Sequence, residues 1–419
     1  MKRQWLAISI LCALMIHGCA TATYNPRPLE EATFKSRAQT QEDRGIQVTA
    51  AVLSAEECKE LFRLDLYKRG IQPIWLKIEN NTKQLVAFLS YSVDSDYFSP
   101  LEVAYMHRSG FSKAARDQMD QYFNQHQMEV YIPPGSANSG FVFTNLNQGT
   151  KSFNVDVLGE DKDLRTFTFF VSVPGLRVSH SEVDFLSLYT KDEIVTYDEE
   201  GLRKALESLP CCATNEDGTE QGGPLNLVLI GEGEGDALHS ALIRSGWAET
   251  EALSGKAATA RDKPSVSGFK YAPVSPLYVY GRPQDAAFTK ARKEIKGRSI
   301  LRLWLAPMLF QGKTVWLGQV SRKVGVRSAS RPDETYRIDA DLDDTRGAFL
   351  QNLWYSQGLA KFGFVKGVGA SSISEPRLDL KGDPYFTDGY RLVLWLSSTS
   401  RPVSRADVKQ VEWERPDKR

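Results

Sequence analysis

From Ile46 onward apolar and polar residues alternate, with Ile46, Val48, Ala50 and Val52 on one side of the chain, the period of a half-buried strand. Ser54 and Glu57 follow at the spacing of a capping box, which predicts a helix running to about Tyr67 and ending before Gly70. The runs 74–78 and 85–93 are rich in β-branched and aromatic residues and flank Asn80-Asn81, so they predict a hairpin. Further strands are predicted over 128–132, 140–144, 153–158 and 166–173, separated by turn residues such as Pro133-Pro134-Gly135. A polar amphipathic helix over 113–123 reads as an insertion at one end. Together these short strands predict an antiparallel β-sandwich, immunoglobulin-like, over residues 45–175.

Past Pro174-Gly175 the pattern lengthens. Helices are predicted over 199–209, 236–245 and 343–357, with Gly246 and Gly358 where helix C-caps want glycine. Strands are predicted over 225–230, 277–280, 300–306, 314–319, 335–340, 362–367 and 390–396, and Gln311-Gly312-Lys313 reads as a hairpin turn. The fold class is therefore α+β: the sandwich, a linker over 176–198, a mixed α/β domain over 199–400 and a polar tail over 401–419. No internal repeat is evident.

The length of 419 residues suits two or three domains, each with its own core. With 42% hydrophobic and 25% charged residues and a mean hydropathy of −0.35, the composition is that of globular proteins. The 52 Lys and Arg balance the 52 Asp and Glu, so no overall basic field draws nucleic acid, which is excluded as an expected partner. At the start, Lys2 and Arg3 precede an apolar run from Trp5 to Ile16, the order of a secretory signal and too short a run to span a bilayer. The next residues, Ile16-His17-Gly18-Cys19, resemble the bacterial lipobox, departing from it at His17. The resemblance implies cleavage after residue 18, lipid on Cys19, a tether over 19–44 and a membrane-anchored protein of the cell envelope facing the periplasm or the surface. Ala20, standing where Asp is absent, favours the outer membrane over the inner. Of the other mature cysteines, vicinal Cys211 and Cys212 can pair only in a strained ring, and Cys58 can pair with either. No zinc or thioredoxin spacing occurs, and no metal or cofactor is expected.

Four stretches carry a further resemblance. They are Leu225-Asn226-Leu227-Val228-Leu229-Ile230-Gly231-Glu232-Gly233-Glu234, then 272–285 with Tyr278, Tyr280, Arg282 and Asp285, then Leu301-Arg302-Leu303-Trp304-Leu305-Ala306-Pro307, and Gly382-Asp383-Pro384-Tyr385-Phe386-Thr387-Asp388-Gly389. In this order they are similar to the LssY C-terminal domain family, over about residues 224–396. The resemblance implies architecture more than chemistry. The family often sits behind membrane modules, some of them lipid-phosphatase-like, but the lipid-phosphatase signature itself is missing: Arg282-Pro283 has Ser275, not Lys, seven positions before it.

The loop Gly231-Glu232-Gly233-Glu234-Gly235-Asp236 lies between a strand and a helix, where backbone amides can cradle phosphate. Its carboxylates repel a pyrophosphate, so a capped turn, or a site for a cation or hydroxylated ligand, fits better. Asp339, Asp341, Asp343 and Asp344 lack the EF-hand order and read as N-cap and first-turn charges. Glu234, Arg282, Asp285, Arg302, Arg322, Asp383 and Asp388 form the candidate ligand-binding set: a polar pocket for a head group or sugar, or else a buried ion-pair network. The four mature His are far apart in sequence, and neither GxSxG nor HExxH occurs, so no catalytic residue is identified. The expected function is a non-catalytic lipoprotein that binds an envelope protein or glycolipid. The alternative is an envelope hydrolase acting on lipid-linked or glycan substrates, marked by perturbed acids in a closed pocket.

Overall fold

The computed structural model describes residues 22–147, 149–160, 163–173, 183–185, 187–231, 236–250, 274–291, 298–326, 336–397 and 408–414. The signal segment, Cys19 and Glu234 with its glycine-rich loop lie outside the described residues. The chain is mixed α+β, mostly antiparallel sheet with few helices. It divides into two units, the first ending at Asn147 and completed by Phe153–Val171, the second made of Gln148–Ser152 and Ser172–Arg419.

In the first unit the order is β1 (Gln39–Asp43), β2 (Ile46–Val52), α1 (Ala55–Phe62), β3 (Ile71–Asn80), β4 (Val86–Leu89), α2 (Pro100–His107), α3 (Lys113–Gln125), β5 (Tyr131–Ile132), β6 (Ser136–Asn145), β7 (Thr150–Gly159) and β8 (Leu164–Ser172). The strands form two four-stranded sheets, ordered β1-β2-β3-β6 and β5-β4-β7-β8. The capping box predicted at Ser54 and Glu57 is present, with both reciprocal bonds made.

Three expectations are corrected here. The runs around Asn80-Asn81 are not a hairpin: β3 pairs with β2 and β6, β4 with β5 and β7, so the chain changes sheet between them. Asn80 makes that step, its Oδ1 accepting from the Thr82 N–H at 3.0 Å while its Nδ2 donates to the Gln84 and Ile132 carbonyls at 2.8 and 2.9 Å. The segment expected as a tether is folded from residue 22 on. Tyr24 and Phe34 are 3% and 1% exposed, and Tyr24 meets Phe111 and Tyr122 edge to face. Helix α3, expected as an insertion, buries Ala115, Met119 and Phe123 at helical spacing in the same aromatic core as Phe62, Trp75, Phe141 and Phe143.

The second unit runs β9 (Val195–Tyr197), α4 (Glu199–Glu207), β10 (Cys212–Thr214), β11 (Gln221–Pro224), β12 (Leu227–Gly231), α5 (Asp236–Arg244), β13 (Ala248–Glu249), β14 (Tyr278–Val279), β15 (Arg282–Pro283), β16 (Ala286–Ala291), β17 (Arg298–Phe310), β18 (Lys313–Val326), β19 (Tyr336–Ile338), α6 (Leu342–Tyr355), β20 (Leu359–Lys366), β21 (Arg377–Leu378), β22 (Pro384–Tyr385), β23 (Tyr390–Leu396) and β24 (Lys409–Gln410). Its main sheet is ordered β13-β16-β17-β18-β12-β23-β20-β24, with β19 on β18 and β9 on β17. The predicted hairpin turn joins β17 to β18, with Gln311 and Gly312 at φ of 51° and 75°, the left-handed pair a two-residue hairpin requires.

Both faces of this sheet are covered. Leu227, Leu229, Leu301, Leu303 and Leu394 pack with Leu238 and Leu242 of α5 and Phe349 and Leu353 of α6. On the opposite face Val228, Ile230, Trp304, Val315 and Leu317 pack with Leu202 and Leu206 of α4, Ala213 of β10 and Val279 of β14. Strands 10, 11, 14 and 15 form a smaller sheet, ordered β11-β10-β14-β15. A sheet covered on both sides explains why its strands are apolar at consecutive positions rather than at alternate ones.

Candidate functional site

Strand alternation places Ile300, Arg302 and Trp304 of β17 on one face, and Val315, Leu317, Gln319 and Ser321 of β18 on that same face. The apolar row of this face therefore turns polar at one end. Arg302 and Gln319 are register partners, and the Arg302 Nη1–H donates to Gln319 Oε1 at 3.1 Å while its Nε–H donates to the Ser275 carbonyl at 3.2 Å. A cavity of about 170 Å³ opens there, many times the roughly 10–15 Å³ that a single water needs. Its wall includes Gly223, Ser275, Arg302, Gln319, Asp379 and Asp383.

Burial pulls the Arg302 pKa down to about 10, so the guanidinium still carries its charge at neutral pH. Among the described residues no carboxylate lies within ion-pair distance of it. Asp379 lines the same cavity. Its Oδ1 accepts the N–H groups of Lys381 and Asp383 at 2.9 and 2.8 Å, closing a turn in which Gly382 takes a φ of 73°. Burial raises the Asp379 carboxyl above the usual carboxylate range, against the pull of those two N–H groups. Asp383 is 1% exposed, and its Oδ2 accepts from the Ile338 N–H at 3.4 Å.

Of the expected set, Arg302 and Asp383 are thus brought to one cavity. The others are not. Arg282 forks onto Asp285 with two bonds of 2.9 Å, and Asp285 also accepts the Leu305 N–H at 2.7 Å, which fastens β15 to β17. The Arg282 guanidinium lies 5.0 Å from the Tyr189 ring centroid. Arg322 pairs with Asp339 and Asp344 at 3.2 and 2.7 Å. Asp388 receives a bidentate fork from Arg346 at 2.9 and 2.7 Å. Each of these residues is thus held in an ion pair away from the cavity. Asp341 caps α6, accepting from the Asp343 and Asp344 N–H groups at 3.1 Å each.

Gln319, Asp379 and Gly223 were not singled out from sequence. Only the β17–β18 register sets Gln319 beside Arg302, and only the return of the 379–383 turn carries Asp379 to the same cavity. Arg391 was missed as well. It is 0% exposed, and its Nη2 donates to the carbonyls of Leu209, Pro210 and Gly367 at 2.9, 2.8 and 2.9 Å. Those bonds hold the segment leading to Cys211 and Cys212, whose sulfurs are bonded to each other, while Cys58 is a free thiol buried in the first unit. Among the described residues no group of three His, Cys, Asp or Glu is placed to hold a metal, and no helix is long and apolar enough to cross a membrane.

Residues 203–390 match the family model described as LssY C-terminus, a span that begins in α4, ends at the start of β23 and includes Arg302, Gln319, Asp379 and Asp383. The match supports the domain resemblance and covers less than half of the chain. No curated protein matches the chain.

Proposed function

We propose that this protein is a non-catalytic binding protein of the cell envelope whose second unit holds a small anionic ligand at Arg302. The observation that carries the reading is a charged arginine in the wall of a 170 Å³ cavity with, among the described residues, no carboxylate within ion-pair distance. Removing a guanidinium from water without an anion is costly, and an oxyanion restores what it lost by a charge-assisted bond. The candidate acids Asp285 and Asp388 are held by arginine forks, which leaves neither poised to move a proton. The wider reading adds the lipid anchor on Cys19, an immunoglobulin-like sandwich for the first unit, and a place at the outer membrane. Leu101 and Tyr105, one turn apart on α2 and 50% and 65% exposed, suit a protein that meets a partner.

Calorimetric titration with inorganic phosphate at low ionic strength tests the pocket. Binding to the wild type that weakens at least tenfold in Arg302→Ala is expected, since a bond to a charged group contributes about 1.5–3 kcal/mol. No heat of binding to the wild type, or an unchanged Kd in the variant, would refute the assignment.

The second reading, a hydrolase, draws on the raised Asp379 carboxyl beside Asp383 in the cavity. Turnover of a phosphate ester or glycoside that is lost in Asp379→Asn would favour it over binding alone.

A further inference from the structure

The cavity at Arg302 holds charges of both signs that do not neutralise each other. Arg302 and Asp379 both line it, and the carboxylate steadies the guanidinium charge without approaching to ion-pair distance. Two of the three Arg302 nitrogens are occupied, Nε by the Ser275 carbonyl and Nη1 by Gln319, while no described group takes the hydrogens of Nη2. At Asp379 both N–H donors converge on Oδ1, and no described group donates to Oδ2. The cavity wall therefore offers an open donor on a cation and an open acceptor on an anion. A plain oxyanion gains at Arg302 but is repelled by Asp379, and a plain ammonium meets the reverse. A molecule carrying both groups, spaced by a short linker, gains at both ends.

We infer that the ligand of this cavity is a small zwitterion, its oxyanion on Arg302 Nη2 and its ammonium on Asp379 Oδ2. This deepens the proposed function and rests on it. The class includes phosphoethanolamine, free or as a lipid head group, and short amino acids.

The full chain is titrated with two matched pairs of probes: phosphoethanolamine against ethyl phosphate, and β-alanine against propionate. The expected result is that in at least one pair the ammonium-bearing member binds roughly tenfold more tightly, the equivalent of one charge-assisted bond. Asp379→Asn, which keeps the Oδ1 acceptor of the turn, should remove that advantage, and Arg302→Ala should weaken all four probes. Equal affinities within both pairs on the wild type overturn the zwitterion while leaving the anion pocket standing. An advantage that survives in Asp379→Asn also overturns it. Failure of every probe to bind the wild type overturns the pocket itself. The wild-type comparison needs no variant to fold. Sedimentation with vesicles of phosphatidylethanolamine in phosphatidylcholine, competed by phosphoethanolamine, assigns the head group as the source, and probe binding without sedimentation assigns a free small molecule.

Discussion

At the scale of single residues, the charged side chains of the second unit separate by whether they have a partner. Asp285 is 3% exposed and takes three donors, two from Arg282 and one from the backbone of Leu305. Replacing it with alanine leaves a largely buried guanidinium and an N–H unanswered, and Asp285→Ala is expected to cost about 3 kcal/mol. A urea transition whose midpoint falls with unchanged slope checks this, and a loss under about 1 kcal/mol would contradict it. Asp379 behaves in the opposite sense, because burial raises its carboxyl above the value of the unfolded chain. Between the ordinary carboxylate value and the raised one the folded state binds more proton, so the wild type loses stability as pH rises through that window. Asp379→Asn removes the penalty. The variant is expected to melt higher than the wild type at pH 7, with the difference closing as pH is lowered through the carboxylate range. A constant difference across that range would contradict this cause.

At the scale of elements, glycines mark where strands and helices come close. Gly358 was expected to cap α6, yet the left-handed residue there is Gln357, at φ 62°, and a Cβ on Gly358 would stand 2.7 Å from the Ala241 Cβ of α5. Its role is close approach, and a glycine after a periodic run does not distinguish the two roles in sequence. Gly223 on β11 is similar, since a Cβ there would collide with Gln319 Nε2. That atom ends a flexible side chain, so Gly223→Ala is accommodated by moving Gln319 and with it the acceptor that positions Arg302. We expect a stability loss of about 1 kcal/mol or less and a roughly fivefold weaker Kd for inorganic phosphate, read by thermal melts and titration on the same preparation. Large unfolding with intact binding would argue against this coupling.

At the scale of the whole molecule, the two units each have a core of their own, and the proposed lipid anchor is tested on the intact chain. Labelled palmitate is expected to enter the wild type made in an exporting bacterium and not Cys19→Ser, with the label in the membrane fraction; label in the variant would remove Cys19 as the anchor. Residue order alone was enough for what depends on neighbours in the chain. The Ser54–Glu57 cap, the Gln311-Gly312 turn, the apolar runs of β12, β17, β18 and β23 and the family-like stretches are local, because periodicity, capping and turn chemistry act over a few residues. Pairing was not legible: 74–78 and 85–93 read as a hairpin and lie in different sheets, because a strand's partner is chosen by burial among many distant candidates. The site followed the same division. Sequence marked Arg302 and Asp383 as charges within the family-like stretches, while their separation from Arg282, Arg322 and Asp388 required the folded chain. Only the register of β17 on β18 and the return of the 379–383 turn decide which charges meet a partner and which face a cavity, since ion pairing acts over a few ångströms between residues far apart in sequence.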